Sequence, residues 1–462
     1  MTLTKEQVER TMRLSVWEGT AWAVMVGLGE TYFIADAVRL HASALELALT
    51  ITLPLALAGA GPWTVVALLG RRIRRKPLVM FSALAQALVL VALSVVEHFG
   101  ASTPARLILM VCLYQIMGQG AGTAWSSWIG DLVPAAVRGR YFGRRNRGVY
   151  AGTCAGLVCG GLILQWLEPA AAGASSPAIG GLGFELAFLL AALFRIASAI
   201  LLALSSEPGF AGLARAEQAR RFLRSGRGTR AFWLLGLVAL FHFAVYTSAP
   251  YYGAFMLESL RFSYLEYMIA TVAMIIIKSL MTSAWGDAID RYGARGIWIL
   301  ALFVVAIVPL PWVFARTFMV ILLAQLFSGI CWSAFELGYF TLLLESSTRG
   351  TRPTLFAAHS LLVGWAQLGA GVLAAWLLPL IGGDYRGLFA ISAAARLLAA
   401  LTAGRFMPRA PAPRLPSIRV RALRALGIHP HGGLVRRPVF EGSALERSES
   451  QEEGQEAPRE ER

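Results

Sequence analysis

Twelve long apolar runs divide the chain up to about residue 404, and no other feature constrains its fold as strongly. A helix needs about 20 apolar residues to cross the hydrocarbon core of a membrane. Soluble proteins are roughly 45 to 50% apolar and about 25% charged, whereas this chain of 462 residues is 56% apolar and 15% charged. A water-soluble globular fold is therefore excluded, and an all-α polytopic membrane protein is predicted.

The apolar runs predict twelve transmembrane helices in two sets of six. The predicted spans are 17–38, 44–69, 77–97, 104–130, 148–167, 184–204, 231–252, 264–285, 297–314, 318–344, 354–380 and 387–404. Gln115 precedes Arg138 at nearly the spacing at which Gln325 precedes Arg349. We therefore predict two six-helix pseudo-repeats, an arrangement typical of transporters. A coincidental similarity between Ala- and Leu-rich segments is the alternative.

This division predicts four regions. Residues 1–204 and 231–404 form the two six-helix halves, and residues 205–230 form a basic linker between them. The linker suits either a short helix on anionic lipid or a solvated tether. Residues 405–462 are rich in proline and glutamate and are expected to be a disordered cytoplasmic tail.

The basic residues indicate the orientation of the spans. The loops on the side of the termini carry 23 Lys and Arg and the opposite loops carry five, so both termini are expected in the cytoplasm. The net charge is +15, but its basic residues lie between apolar segments, where they orient the helices, so no nucleic-acid partner is predicted. The chain has 39 Arg against three Lys and a single asparagine, Asn146, which favours a bacterial inner membrane.

No sequence pattern indicates an enzyme, a metal site or a cofactor. The chain lacks Gly-x-Ser-x-Gly, His-Glu-x-x-His and any Gly-Lys pair, so hydrolase motifs and a nucleotide-binding P-loop are absent from the sequence. Its four cysteines lie in apolar segments and are expected to be buried without disulfides. We predict a protein that is not an enzyme.

The loop after the eighth predicted span carries the pattern Gly-x-x-x-Asp-Arg-x-Gly-x-Arg, formed by Gly286, Asp290, Arg291, Gly293 and Arg295. Asp290 can accept charge-assisted hydrogen bonds from Arg291, from Arg295 or from the end of a neighbouring helix. Together with the repeat and the topology, this pattern resembles the major facilitator superfamily. The resemblance implies that the loop is the cytoplasmic gate motif of that family. The alternative is a loop that only orients the helices.

The corresponding loop of the first half departs from this pattern. The segment 70–77 keeps the glycine and a cluster of five basic residues but has no aspartate. A first-half latch is therefore not predicted, and a positively charged loop that orients the helices is equally consistent with the sequence.

Glycines recur along one face of the fifth predicted span at Gly152, Gly156 and Gly160, with Gly161 adjacent. Such a face allows close helix packing. The segment is similar to the glycine-rich motif of antiporters of the same superfamily, with Leu157 where proline is usual. A generic small-residue interface is the alternative.

Several ionisable and polar residues fall inside predicted spans, where a charge needs a partner or a water-filled cavity. In the superfamily, spans one, four, seven and ten line a central cavity. The residues predicted in a substrate or proton pathway are Glu30, Gln115, Gln119, His242, Lys278, Trp332 and Glu336. Glu30 or Glu336 is expected to carry a proton, or Lys278 to pair with one of them. The alternative is an ion pair that only fixes helix packing.

The sequence thus favours a secondary active transporter that moves a small solute by alternating access, with proton-coupled efflux of a drug or metabolite as its favoured form. Its expected partners are the solute, protons and membrane lipids, and the chain is expected to be a monomer without cofactors. The alternative is a transporter-like membrane sensor or scaffold without transport activity.

Overall fold

The computed structural model describes residues 3–61, 74–134, 137–168, 181–209, 230–347 and 352–407, and all regular elements in these ranges are helical. The first set of helices comprises α1 Lys5–Leu28, α2 Phe33–Arg39, α3 Ala44–Ala58, α4 Arg75–His98, α5 Pro104–Leu132, α6 Arg138–Leu167 and α7 Leu182–Leu204. The second set comprises α8 Arg230–Tyr246, α9 Tyr251–Ala254, α10 Tyr264–Tyr292, α11 Ala294–Ile307, α12 Leu310–Phe314, α13 Phe318–Glu345, α14 Arg352–Leu380 and α15 Tyr385–Phe406.

The all-α transmembrane fold predicted from the sequence is confirmed. Within the described ranges, eleven helical segments are long and apolar enough to cross a membrane. The second predicted span, 44–69, begins with the shorter apolar helix α3, and its part from residue 62 lies outside the described ranges. Most of the predicted linker and tail, residues 210–229 and 408–462, also lie outside them.

The observed helices extend beyond several predicted spans. The fifth span was predicted to begin at residue 148, but α6 begins at Arg138. Apolar runs mark only the part of a helix that lies in hydrocarbon, whereas backbone hydrogen bonding continues into water through a polar segment. Helix length is therefore underestimated where a span continues into a basic loop.

Corresponding helices of the two sets begin with the same capping residues. Ser43 and Glu46 form a capping box at the start of α3, and Ser263 and Glu266 form one at the start of α10. In each case the serine side chain accepts a hydrogen bond from a backbone N–H of the first turn. The glutamate carboxylate in turn accepts a hydrogen bond from the backbone N–H of the serine. Local sequence thus fixes equivalent helix ends in both sets.

The first helix of each set is interrupted at a similar depth. Between α1 and α2 the chain forms a 3-10 turn at Glu30–Tyr32. Between α8 and α9 it forms a turn that ends at Pro250, and a π-helical turn, Phe255–Ser259, follows α9. Proline lacks the N–H that a continuous helix requires, and such breaks are frequent near functional sites.

Helices α1 and α6 approach so closely that only glycine fits between them. A Cβ atom at Gly152 would lie 2.6 Å from the backbone oxygen of Thr20, and one at Gly156 would overlap the backbone oxygen of Val24. At Gly160 a Cβ atom would lie 2.5 Å from the ring of Tyr32, whose hydroxyl donates to Leu157 O at 2.6 Å. The small-residue face therefore packs backbone against backbone.

Hydrogen bonds between the two sets of helices are concentrated at one end, whereas α3 and α14 also pack closely further along, where a Cβ atom at Gly364 would lie 2.7 Å from Leu55 O. We call the end of the bundle opposite the chain termini the distal side. There Tyr251 Oη donates to Ala44 O at 3.0 Å and Tyr267 Oη donates to Thr31 O at 3.3 Å. The backbone N–H of Leu265 donates to the side chain of Gln165 at 3.1 Å. In the described part of the chain, all hydrogen bonds between the two sets lie on this side.

Candidate functional site

A central cavity lies between the two sets of helices. It consists of two adjoining chambers of about 440 and 310 Å³, which share the side chains of Ile34, Ile51 and Tyr246. The larger chamber is lined mainly by the second set and the smaller one mainly by the first. The lining residues that carry polar or aromatic chemistry include Glu30, Gln115, His242, Tyr246, Gln325, Trp332, Glu336 and Tyr339.

Glu30 lies in the smaller chamber, at the interruption between α1 and α2. Its carboxylate accepts a hydrogen bond from Gln115 Nε2 at 3.0 Å and one from Tyr114 Oη at 3.2 Å. Among the described residues, no cation forms an ion pair with it. Tyr114 was not predicted, although its position beside Gln115 in an apolar helix was a usable signal.

Glu336 of the larger chamber is neutralised by a cation. Lys278 Nζ lies 2.7 Å from Glu336 Oε1, and this ion pair joins α10 to α13. The two helices approach closely because Gly329 faces α10, where a Cβ atom would lie 2.6 Å from Met274 O. The side chains of Lys278 and Glu336 are 27% and 44% exposed, so the pair is not sealed in the core. Glu336 lines the larger chamber, whereas Lys278 lines neither chamber.

Aromatic rings surround His242 on the wall of the larger chamber. Its Nδ1 lies 2.9 Å from Val238 O, which assigns the proton to this nitrogen and leaves Nε2 as an acceptor. The ring contacts Phe335 and Tyr339, with centroids at 5.5 and 6.4 Å. Tyr339 stacks on His359 at 5.3 Å, a residue that the sequence analysis did not single out.

The positions of two glutamines relative to the cavity differ from the predicted ones. Gln119 was predicted beside Gln115, but its side chain is exposed and lines neither chamber. It lies one helical turn closer to the termini, at the level of Gly61. Gln325, noted in the sequence only as a marker of the repeat, lines the larger chamber. Trp332 lines the same chamber, as expected from its place on α13.

The loop that resembles a gate motif joins α10 to α11. Gly293 adopts a φ of 82°, which favours glycine and allows the sharp turn between the two helices. The expected bonds from Arg291 or Arg295 to Asp290 do not occur among the described contacts. Asp290 and Arg291 are exposed, and Arg295 donates to Met407 O at 3.1 and 3.3 Å. Asp290 lies in the last turn of α10 and faces water, where it gains little from pairing.

The corresponding loop of the first set is organised by Arg75 in place of an aspartate. Arg75 is fully buried and forms ion pairs with Asp131 and with Glu207, whose Oε1 lies 3.2 Å from Arg75 Nε. It also donates to Ser127 O at 3.0 Å. Arg75 therefore ties together the ends of α4, α5 and the segment that follows α7. This role could not be predicted from the sequence, because the two carboxylates are distant from Arg75 in the chain.

Comparisons with known proteins agree with this architecture. Residues 234–446 match the sequence model of the family described as Major Facilitator Superfamily. Among curated proteins, no sequence matches the chain significantly.

Three solved transporter structures share the fold. The nucleoside transporter NupG is 11% identical with a TM-score of 0.62, over 86% of this chain and 98% of that one. A D-xylose–proton symporter is 17% identical with a TM-score of 0.64, over 87% and 97%. A bacterial homologue of the human lysosomal transporter Spinster, in an inward-facing and occupied conformation, is 16% identical with a TM-score of 0.63, over 88% and 95%.

The family match covers residues 234–446, somewhat less than half of the chain, and the structural likeness covers the whole bundle. The matched solved structures are of transporters. The chain is a multi-pass membrane protein with the fold of these transporters, and its second set of helices matches the sequence model of the Major Facilitator Superfamily.

Proposed function

We propose that this protein is a secondary active transporter that moves a small organic solute by alternating access and couples the movement to protons. The observation that carries the proposal is the central cavity, into which each set of helices places one carboxylate. Glu336 is balanced by Lys278, whereas the described donors to Glu30 are both neutral. The two carboxylates therefore suit different roles.

Glu30 is the proposed proton carrier. A carboxylate at membrane depth needs a counter-charge, water or a proton, and its neighbours Tyr114 and Gln115 supply only dipoles. Glu336 is paired with Lys278 and is proposed to bind or position the solute. Sequential exposure of Glu30 to the two sides of the membrane would then couple proton movement to the cycle.

The lining of the cavity supports a small amphipathic solute, a drug or a metabolite. His242, Trp332 and Tyr339 offer aromatic faces, while Gln115 and Gln325 offer amide donors and acceptors. Pockets of a few hundred Å³ suit ligands of this size. Export is the proposed direction, and its support is the likeness of the glycine-rich face of α6 to antiporter sequences of the superfamily.

We further propose a monomer in a bacterial inner membrane, with both termini and the linker in the cytoplasm and the distal side facing outward. The excess of basic residues in the loops on the side of the termini supports this orientation. The halves 1–204 and 231–404 are proposed as the units that change their mutual arrangement.

The test uses the full chain in proteoliposomes that contain a pH-sensitive dye. Sugars, organic acids, amino acids, nucleosides and lipophilic cations are added in turn. A solute-dependent pH change that Glu30→Gln abolishes is expected, because this variant cannot release a proton. Glu345→Gln is the matched control, since it makes the same change in the exposed pair of Arg230 with Glu345. Unchanged pH responses in Glu30→Gln would overturn the proton role.

Removing residues 408–462 separates transport from the sensor or scaffold alternative. The cut keeps Met407, whose backbone oxygen binds Arg295. A transporter should retain solute flux after the deletion. Absence of flux for every solute in both proteins, together with loss of a cellular output on deletion, would favour the sensor.

A further inference from the structure

Three buried carboxylates surround one arginine on the distal side, next to the central cavity, since Asp36 is two residues from Ile34 of the cavity lining. We call Asp36, Glu97, Glu168 and Arg39 the distal cluster. The three acidic residues are 0%, 3% and 7% exposed, although they come from α2, α4 and the end of α6. Neither chamber of the central cavity includes any of them.

The contacts within the cluster are short. Arg39 Nη2 lies 2.5 Å from Asp36 Oδ1 and 2.5 Å from Glu97 Oε2, so these two oxygens are no more than about 5 Å apart. Ser102 donates to the other oxygen of Glu97. Glu168 accepts from the backbone N–H of Gly183 at 2.9 Å, and its charge acts on both Asp36 and Arg39.

One guanidinium does not balance three carboxylates. The nearby His98 is paired with Glu185 on the surface, and the described hydrogen bonds of Glu46 and Glu258 are with Ser43 and Tyr385. From the second set, Tyr264 adds only a neutral hydroxyl. Within the described ranges, no further cation pairs with the cluster, and buried carboxylates this close to one another do not all remain ionised.

A second observation marks where a proton would bind. Asp36 Oδ2 is buried and has no hydrogen-bond partner among the described residues, while Oδ1 of the same carboxylate accepts from Arg39. An ionised oxygen without a partner in such a site is more costly to bury than a neutral hydroxyl. In the described residues, no group of three acidic, histidine or cysteine side chains is arranged to hold a metal ion. The guanidinium of Arg39 against Asp36 and Glu97 disfavours a second cation there, so a proton is the fitting ligand.

We propose that the distal cluster is a proton-binding site, separate from the central cavity, that holds one proton shared by Asp36 and Glu97 while the distal side is closed. The cluster adjoins the contact between the two sets of helices. Arg39 lies 4.9 Å from the ring centroid of Phe184, and that ring contacts Tyr264 of α10 at 6.0 Å. Separation of α7 from α10 admits water, and the proton then leaves to the distal solution.

The test is infrared spectroscopy of the full-length protein in lipid nanodiscs, read at the carbonyl stretch of protonated carboxyl groups. A pH titration above about pH 6, where exposed carboxylates are ionised, is run in the Glu30→Gln background, so that neither the exposed carboxylates nor the proposed cavity proton contributes. We expect a titrating band equivalent to one proton per molecule. Loss of that band is expected in Asp36→Asn and, independently, in Glu97→Gln, since each removes one of the two sharing carboxylates.

Glu185→Gln is the matched control, because this glutamate pairs with exposed His98 outside the cluster, and it should keep the band. Absence of any titrating band in the Glu30→Gln background overturns the proposal even if the cluster variants do not fold. A band that persists in folded Asp36→Asn or Glu97→Gln also overturns it. Loss of solute-driven pH changes in Glu30→Gln concerns the cavity alone, so the two proposals fail separately.

Discussion

At the scale of single residues, the charged side chains inside the helix bundle differ in the partners that balance their charge. Arg75 has two carboxylates, Lys278 has one, and the described donors to Glu30 are two neutral side chains. Pairs that balance stabilise a fixed arrangement, whereas a group without a counter-charge is free to change its protonation state. Charge balance therefore separates structural residues from the proposed functional ones.

Replacement of Arg75 by methionine tests the structural role. The change leaves Asp131 and Glu207 without this partner, and loss of one member of a buried ion pair costs about 3 to 5 kcal/mol. Because the side chain of Asp131 is 59% exposed, we expect a loss of about 3 kcal/mol in the free energy of unfolding in detergent.

Arg74→Met is the control for this experiment, because Arg74 is exposed and adjacent in sequence. Its free energy of unfolding should stay within about 0.5 kcal/mol of the parent protein. Equal losses in both variants would contradict the role assigned to Arg75.

At the scale of helices, patterns within one segment of the sequence predict the helices and their packing faces. Clusters of side chains that come from distant segments cannot be predicted in this way. Apolar runs and the glycine spacing of α6 were sufficient to predict the helices and a close-packing face. The distal cluster was not predictable, because Asp36, Glu97 and Glu168 lie at the ends of three different helices. Likewise, the structural role of the basic loop around Arg75 depends on the ion pairs of Arg75 with Asp131 and Glu207.

A single methyl group on α6 should separate it from α1. In Gly156→Ala the new Cβ atom meets the backbone oxygen of Val24, which cannot move without shifting the helix. Overpacking of this kind costs about 1 to 3 kcal/mol, measured as a lower free energy of unfolding. Gly143→Ala, on the same helix with open space around it, is the control and should not be destabilised.

At the scale of the whole molecule, the described hydrogen bonds between the two sets of helices hold the distal side closed. Tyr251 and Tyr267 donate two of them, to Ala44 O and Thr31 O. The overall bundle was predictable from the sequence, but these contacts were not, because they depend on how the sets dock. The preference for a closed over an open distal side therefore depends on the contacts between the two sets of helices and not on any one helix.

The double variant Tyr251→Phe, Tyr267→Phe should favour opening of the distal side. Each hydrogen bond contributes about 0.5 to 1.5 kcal/mol, so loss of both should raise the ratio of open to closed molecules by a factor between about 5 and about 150. The ratio can be measured as the distance between spin labels at positions 99 and 314, where both native phenylalanines are exposed.

Tyr385→Phe is the matched control, because its hydroxyl binds Glu258 within the second set. Its label distances should equal those of the parent protein. A double variant with the parent distances would show that other contacts determine closure.

The helix interruptions beside Glu30 and Pro250 affect which segments of the protein can move within the lipid bilayer. Short segments beyond each break, α2 and α9, can tilt while α1 and α8 keep their positions. Tilting of the two short segments would widen the distal side of the cavity in addition to the rearrangement of the two halves. Because that rearrangement changes the lateral cross-section of the protein in the membrane, we expect the rate of solute flux to vary across liposomes of different acyl-chain length. A constant rate would indicate that tilting of the short segments alone opens the cavity.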